Sequence, residues 1–155
     1  MKNVLTSSLN DKFMLEALKE AKKAYKKGEV PVGAVVVLNN KIISRGHNTN
    51  IILNDISAHA EIQALRKASE KLKNYRLNDC KLYVTLEPCS MCAGALVLAR
   101  VSAIIFGAYD PKTGACGSVF NIADNKKLNH RIKLTGGVLE KACAGLLKDF
   151  FKSKR

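Results

Sequence analysis

The feature that most limits how this chain can fold is the alternation of strand-like and helix-like segments in its second half. Residues 81–85 and 103–106 are short apolar runs typical of strands, and residues 88–99 between them form a helical segment that opens on proline. The first turn of a helix tolerates proline well. Because a strand, a helix and a second strand are joined by a crossover, we expect parallel strands in this half. A last strand is predicted around 131–135, followed by a C-terminal helix.

The first half predicts a different arrangement. Apolar residues recur every three or four positions across residues 13–25, and lysines largely fill the gaps, which indicates an amphipathic helix that stops near Gly28 and Pro31. Residues 34–38 and 41–44 are strand-like runs separated by two asparagines. Asparagine tolerates the positive φ of tight turns, so these runs are predicted to form an antiparallel hairpin.

The remaining segments complete a single α/β domain. Residues 48–57 are polar and irregular, and residues 107–117 form a glycine-rich loop. A further helix is predicted over about 58–72, with one apolar stripe made of Ile62, Leu65, Ala68 and Leu72. No repeat, low-complexity tract or linker divides the chain, so we expect one domain over residues 1–155. The predicted fold is a three-layer α/β/α sandwich around a central mixed five-stranded sheet.

The charge of the chain favours a polyanionic partner. Its 26 basic and 13 acidic side chains give a formal net charge of +13, which suits nucleic acid. The basic residues are mostly lysine, and asparagine and isoleucine are also abundant, so an AT-rich genome explains the same bias without any binding face. Charge alone leaves these two interpretations open.

The sequence also predicts where the protein is found. No apolar run approaches the roughly 20 residues of a membrane helix, and the segment Met1–Ser8 lacks the apolar block of a signal peptide. We therefore expect a cytoplasmic protein with no membrane partner.

Five cysteines are present, and only Cys89 and Cys92 are closely spaced. An odd number with one close pair is unlike a secreted disulfide framework and favours metal or redox chemistry. Cysteines three positions apart at the start of a helix lie on one face, where the helix N-terminus favours thiolates. This pair alone leaves a redox dithiol, a structural zinc site and a catalytic zinc site open. The other three cysteines are expected to be small buried residues, and are Cys80, Cys116 and Cys143.

The segment His59-Ala60-Glu61 favours the catalytic alternative. Two thiolates and one imidazole leave the fourth tetrahedral position to water, the open arrangement that catalytic zinc needs. A nearby carboxylate then accepts and returns the proton of that water. Residues at i and i+2 of a regular helix point apart, so His59 and Glu61 share a site only if they lie at the helix start. The other histidines, His47 and His130, are interpreted as ordinary ones.

His59-Ala60-Glu61 and Pro88-Cys89-Ser90-Met91-Cys92 match the H-x-E…P-C-x-x-C pattern of zinc deaminases acting on nucleobases. Over nearly its whole length the chain also resembles the bacterial tRNA-specific adenosine deaminases, within the cytidine and deoxycytidylate deaminase superfamily. The further blocks that carry this resemblance are Glu29 to Ala34, Asn48, Asn74 to Leu77, Thr85 to Cys89, Lys112 to Ala115 and Asp149 to Phe151.

The resemblance implies a cytidine-deaminase-like fold and one zinc ion per chain. His59, Cys89 and Cys92 are the implied ligands, and Glu61 is the implied proton shuttle. The implied reaction is attack of zinc-activated water on adenosine at the wobble position of a tRNA anticodon loop, giving inosine. The implied substrate-contacting residues are Asn48, Glu29, Val30, Pro31, Ala60, Asp110 and Phe151.

The resemblance also implies a homodimer, which the apolar character of segment 93–98 weakly supports. Near the C-terminus, Phe150 is expected to pack on the sheet. Phe151 is expected to meet RNA together with Lys152, Lys154 and Arg155, because aromatic and basic neighbours suit stacked single-stranded bases.

Two other functions stay open at this point. A deaminase of free cytidine, guanine or a pterin-like precursor would share the same metal motif, although a small substrate gains little from the high charge. A non-catalytic, zinc-stabilised RNA-binding module is the second alternative, although a purely structural site does not need Glu61.

Overall fold

The structure, a computed structural model, describes residues 8–154. Residues 1–7, on which the absence of a signal peptide was predicted, lie outside the described part. Arg155, which was predicted to meet RNA, also lies outside it. No helix within that part is both long enough and apolar enough to span a bilayer. The elements in chain order are α1 Leu9–Lys26, β1 Gly33–Leu38, β2 Lys41–His47, α2 Asn50–Leu53, α3 Ala60–Leu72, β3 Lys81–Leu86, α4 Ser90–Ala99, β4 Ala103–Ala108, β5 Lys133–Thr135 and α5 Glu140–Ser153.

The strands of the described part form one five-stranded sheet in the order β2-β1-β3-β4-β5. β1 pairs antiparallel with β2 and with β3, while β3–β4 and β4–β5 are parallel pairs. The hairpin turn places Asn39 and Asn40 at φ values of 52° and 60°, the left-handed conformation that such turns require. The predicted mixed five-stranded sheet is therefore confirmed, including its hairpin and its parallel half.

Two apolar clusters cover the two faces of this sheet. Val35 and Val37 of β1 belong to the cluster that also contains buried residues of α1 and α5, whereas Ala34 and Val36 belong to the cluster that contains buried residues of α3 and α4. This alternation follows from the period of two along a strand. Since helices cover both faces, the predicted three-layer sandwich is confirmed.

Some predicted element bounds differ from the structure. The segment predicted to be irregular contains the single turn α2, with Asn54 in the left-handed conformation at its end. α4 begins at Ser90, two residues after Pro88, because Cys89 is its N-cap in an extended conformation. α3 begins at Ala60, and Leu72 of its predicted stripe is 36% exposed. Leu65 and Ala68 of the stripe are buried as predicted, and Ala60 and Ala64 complete the buried side of α3.

One glycine brings α3 against the sheet where the predicted site begins. A Cβ built on Gly46 of β2 would lie 2.6 Å from the carbonyl oxygen of Ala60 and 2.6 Å from the amide nitrogen of Ala64. Any other residue would clash with the α3 backbone at that point. The first turn of α3, which carries Glu61, is therefore fixed at the end of β2.

Candidate active site

The first turns of α3 and α4 bring the three predicted metal ligands together. His59 precedes α3, while Cys89 and Cys92 belong to the start of α4. The Nδ1 atom of His59 lies 3.6 Å from Cys89 Sγ and 3.4 Å from Cys92 Sγ. Two helix N-termini thus meet at one point, and their dipoles favour negative charge on the sulfurs.

The conformation of His59 explains how His59 and Glu61 share one site. His59 is the N-cap of α3, with φ −74° and ψ 157°, so its backbone is extended, whereas Glu61 lies inside the first helical turn. The usual divergence of side chains at i and i+2 of a helix does not apply across this change of conformation. The condition set by the sequence, that both residues lie at the helix start, is met.

The three ligand atoms suit a tetrahedral zinc ion. His59, Cys89 and Cys92 each offer one atom, and these atoms lie within 4.8 Å of one another. Zn–S bonds of about 2.3 Å and Zn–N bonds of about 2.0 Å at tetrahedral angles separate ligand atoms by about 3.5–3.8 Å. The observed distances between imidazole and sulfur agree with this range. Three protein ligands leave a fourth coordination position, which is typical of catalytic zinc sites.

The surroundings shift the pKa values of the two cysteines in opposite directions. A hydrogen bond from the Cys92 thiol lowers the pKa of Cys89 to about 4, against the opposing effect of burial and with help from His59. The same hydrogen bond, together with burial, raises the pKa of Cys92. The hydrogen bond to Cys89 also raises the pKa of His59, against the effect of burial. The surroundings of Cys89 therefore favour its thiolate, the form that binds metal.

Glu61 is the buried carboxyl group beside this cluster. Its side chain is 3% exposed and lines the same cavity as His59 and Cys89. Burial raises the pKa of Glu61 to about 7. A carboxyl group with a pKa near neutrality exchanges protons readily in both directions, which is what general acid–base chemistry requires.

The cavity next to the cluster has a volume of about 340 Å³, which falls within the range of small-ligand sites. Four of the predicted substrate-contacting residues line it, namely Glu29, Val30, Asn48 and Asp110. Pro31 and Ala60 are buried next to lining residues, and Phe151 is elsewhere. The remaining lining residues include Val32, Asn50, Ile51, Leu86, Glu87 and Thr113.

Two of these predicted residues also hold the cavity in shape. Asn48 Oδ1 accepts the N–H of Ala60 at 2.8 Å, which ties the end of β2 to the first turn of α3. The buried Glu29 carboxylate accepts the N–H groups of Ile51 and Ile52 at 3.0 and 2.8 Å. Glu29 thereby caps α2, whose first amides have no partner within a single helical turn. Whether Asn48 and Glu29 also touch a substrate stays a prediction.

The C-terminal residues are separate from the cavity. Phe150 is buried, as predicted, and its ring packs edge-on against Tyr25 of α1 at 5.6 Å. Phe151 is 49% exposed and lines a shallow surface depression with Leu147, Lys148 and Lys152. The predicted RNA contacts of Phe151 would therefore lie outside this cavity.

The other cysteines and histidines stand apart from the cluster. Cys80, Cys116 and Cys143 are buried and unpaired within residues 8–154, in agreement with the prediction. His47 contacts Glu20 and Lys27, and His130 contacts the Val101 carbonyl oxygen at 2.7 Å. Neither histidine completes a four-ligand metal site.

The residue that the sequence analysis missed is Glu87. It is 2% exposed, lines the cavity and accepts hydrogen bonds from the glycine-rich loop. Only its place directly before Pro88 and Cys89 marks it in the sequence. Its partners lie 23 to 31 residues away, so no local pattern predicts them.

A second, larger groove lies on the outer side of α3 and α4. It has a volume of about 910 Å³ and is lined mainly by apolar atoms, with Leu98 and Tyr75 among its most exposed side chains. None of His59, Glu61, Cys89 and Cys92 lines it. The candidate active site is therefore the smaller cavity, which His59, Glu61 and Cys89 line.

Comparison with known proteins first defines the class. The sequence model of the MafB19-like deaminase family matches residues 9–155 of this chain. A guanine deaminase structure from Nitrosomonas europaea superposes with a TM-score of 0.75 at 25% identity, covering 96% of this chain and 86% of that one. By sequence and by fold, the chain thus belongs to the deaminases.

Closer relatives identify the branch. The tRNA-specific adenosine deaminase of Bacillus subtilis is 49% identical over 143 residues, 92% of this chain and 89% of the relative. That of Aquifex aeolicus is 51% identical, over 92% of this chain and 94% of the relative. A structure from a study of A-to-I editing by tRNA:A34 deaminases superposes with a TM-score of 0.84 at 43% identity, covering 87% of this chain and 98% of that one. The chain belongs to the tRNA-specific adenosine deaminase family.

Proposed function

We propose that this protein converts adenosine to inosine at the wobble position of a tRNA anticodon loop by hydrolytic deamination. The observation that carries the proposal is the meeting of the metal cluster, Glu61 and Asn48 around one cavity of nucleobase size. The identity of 49–51% with tRNA-specific adenosine deaminases over 92% of the chain supports the choice of substrate. A binding module without activity is disfavoured, because it has no use for a buried carboxyl group beside an open metal site.

The reaction is an exchange of the adenine amino group for oxygen. A C6–O bond forms with the oxygen of water, the C6–N6 bond breaks, and ammonia leaves, so that adenosine and water give inosine and ammonia. His59, Cys89 and Cys92 would hold one zinc ion, which would supply an activated water molecule when bound. Glu61 would take the proton from the attacking water and deliver protons to ring N1 and to the departing amino group.

Side chains around the cavity would hold the target base. Asn48 Oδ1 is already bonded to Ala60, so the Nδ2 group of Asn48 is the part free to donate to an acceptor on the nucleoside. Val30 and Pro31 would form part of the wall against the base, and Asp110 would contact nucleotides next to it. An unpaired loop base enters such a cavity without breaking a base pair, so its extrusion requires little energy.

The surface of α5 would contact the RNA outside the cavity. Phe151 is exposed, and Lys148 and Lys152 line the same depression. An aromatic ring with neighbouring lysines suits stacked bases and backbone phosphates. The net charge of +13 supports the same interpretation. A cytoplasmic location follows from this substrate.

The experiment compares four substrates at equal concentration: tRNA with a wobble adenosine, free adenosine, free cytidine and free guanine. Liquid chromatography of the nucleosides after digestion should show inosine from the tRNA alone. Raising the salt concentration should weaken tRNA binding steeply, because phosphate contacts release counterions. Turnover of a free base or nucleoside with the tRNA unchanged would contradict the proposal.

We also propose a homodimer formed through the outer groove of α3 and α4. Leu98 of α4 is 75% exposed there, beside the apolar surface of Ala95 and Val97. A second copy would cover this surface on both chains at once, as a two-fold interface does. Light scattering should give twice the chain mass at micromolar concentration, and Leu98→Glu should give the single-chain mass. A wild-type protein that stays monomeric would contradict this proposal.

A further inference from the structure

One wall of the cavity is a loop without regular helix or strand. We call residues 109–118 the wall loop; its residues Asp110 and Thr113 line the cavity. A local turn shapes its first half: Asp110 Oδ1 accepts the N–H groups of Lys112 and Thr113, and Oδ2 accepts the Thr113 hydroxyl. This turn fixes Asp110 and Thr113 relative to each other, but does not attach them to the rest of the protein.

The attachment comes mainly from Glu87. Its Oε1 atom accepts the N–H of Asp110 at 3.0 Å and the hydroxyl of Ser118. Its Oε2 atom accepts the N–H groups of Cys116 and Ser118, both at 3.0 Å. Four donors from both ends of the wall loop therefore converge on one carboxylate that is 2% exposed. Glu87 follows β3 directly, so it joins the loop to the carboxyl end of a central strand.

The packing around this carboxylate leaves no space. A Cβ built on Gly114 would lie 2.4 Å from the carboxyl carbon of Glu87 and 2.5 Å from each of its oxygens. Gly114 also pairs with Cys89 through a backbone bridge, and the N–H of Ala115 donates to the Pro88 carbonyl oxygen at 2.8 Å. The loop thus wraps closely around the Glu87 side chain, and its position depends on that side chain.

We propose that Glu87 is a positioning residue that sets the substrate side of the cavity. It would act through the Asp110 amide, by holding Asp110 and Thr113 where they meet the nucleotides around the target base. This role rests on the proposed function, in which the cavity receives a nucleoside of the tRNA. It differs from the role of Glu61, because Glu87 faces the loop amides and would take no part in proton transfer.

The substitution Glu87→Gln tests this role with almost no change in shape. A glutamine amide carries one oxygen and one nitrogen, and the nitrogen cannot accept a hydrogen bond. If the glutamine nitrogen stood at the Oε2 position, it would face the N–H groups of Cys116 and Ser118, and both hydrogen bonds would be lost. The favoured orientation therefore has the nitrogen at the Oε1 position. At the Oε1 position, the Ser118 hydroxyl can rotate to accept a hydrogen bond from the glutamine nitrogen. Only the Asp110 N–H then loses its acceptor, because it faces the N–H groups of the glutamine. The substitution therefore removes the one contact that the proposal requires.

The experiment measures KM and kcat for wobble-adenosine tRNA, bound zinc, melting temperature and amide hydrogen exchange of residues 109–118. Ser102→Ala is the matched control, because the Ser102 hydroxyl donates to the Cys80 carbonyl oxygen at 3.0 Å at the opposite end of β3 and β4. For Glu87→Gln we expect faster exchange in the wall loop, about one zinc per chain, and a KM raised about tenfold, as for loss of a hydrogen bond to a charged acceptor. Its kcat should change less than about threefold. Ser102→Ala should lower the melting temperature with KM unchanged.

Binding to inactive protein gives a second measurement that does not depend on turnover. In the Glu61→Gln background, Glu87→Gln should raise the Kd for the tRNA by a similar factor. Faster exchange in the loop with unchanged KM and Kd would overturn the positioning role while the proposed function stands. A drop in kcat with loss of zinc would also overturn it, since Glu87 would then support the metal cluster. If the wild-type protein produces no inosine, it is the proposed function that fails.

Discussion

The two sides of the cavity are built in different ways. On one side, His59, Cys89 and Cys92 lie at the starts of two regular helices, and each motif occupies a few consecutive residues. On the other side, the wall loop has no regular structure and is attached through the buried side chain of Glu87. The first side depends on local backbone geometry, and the second on contacts between distant parts of the chain. Substitutions on the two sides should therefore change different kinetic constants.

The largest effect is expected on the metal side, from Cys92→Ser. A serine hydroxyl is a poor zinc ligand, and Cys92 is completely buried in the cluster. Metal analysis should fall from about one zinc per chain to near zero, and inosine formation to background. A Cys92→Ser protein that is free of zinc and fully active would contradict the metal site. Cys80→Ser, at a cysteine remote from the cluster, is the control and should keep the zinc.

The next largest effect is expected for Glu61→Gln, which should separate chemistry from binding. Glutamine keeps the size of the side chain but cannot take up a proton, so kcat should fall by roughly 10²–10⁴-fold. Zinc content, tRNA affinity and melting temperature should stay close to those of the wild type. A loss of less than about tenfold in single-turnover rate would exclude Glu61 as the proton shuttle.

A smaller effect, of a different kind, is expected from Gly114→Ala in the wall loop. The added methyl group would overlap the Glu87 carboxylate, and overpacking of this kind costs about 1–3 kcal/mol. We expect a lower denaturation midpoint and a KM raised several-fold, with kcat much less affected. Gly145→Ala is the control, because an added Cβ there meets no atom within 4 Å. Equal losses in kcat for Gly114→Ala and Glu61→Gln would remove the distinction between the two sides.

The smallest effect is expected from Glu20→Gln on α1. Burial opposes ionisation there, but hydrogen bonds from Lys23 and His47 lower the pKa of Glu20 below its ordinary value. A lowered pKa in the folded state stabilises the protein above the unfolded pKa, and this stabilisation is lost as pH falls through the folded value. The stability difference between wild type and Glu20→Gln should thus be present at pH 7 and vanish in acid. Thermal melts of both proteins at several pH values measure this stability difference. A difference that grows as the pH falls would contradict the lowered pKa of Glu20.

The sequence predicted most of the fold because its signals are local. The helical period over residues 13–25, the two asparagines of the hairpin and the strand–helix–strand order each depend on neighbouring residues, and all three are present. The two motifs of the metal cluster are local in the same way, whereas their meeting across about 30 residues was implied by the resemblance to the zinc deaminases. His59 and Glu61 are two residues apart, Cys89 and Cys92 three apart, and each pair lies at a helix start.

The rest depends on contacts that no short window contains. The turn α2 is stabilised by Glu29, which lies more than 20 residues earlier and accepts hydrogen bonds from the first amides of the turn. The wall loop takes its position from Glu87, and its residues alone read only as a glycine-rich connection. The substrate contacts also remain predictions, because they depend on a molecule outside the chain. The residues concerned are Asn48, Glu29, Val30, Pro31, Ala60, Asp110 and Phe151.

The two outer strands of the sheet have a consequence for how copies of this protein can meet. Open sheet edges expose unpaired amide and carbonyl groups that can add strands from other molecules, the first step toward fibrous aggregates. Here one edge is β5, only three residues long, and the other is β2, whose pairing with β1 shifts register between Val36 and Val37. A short edge and an irregular one both make poor templates for a further strand. Growth of the sheet from molecule to molecule is therefore disfavoured, and ordered self-association is left to the helical surfaces.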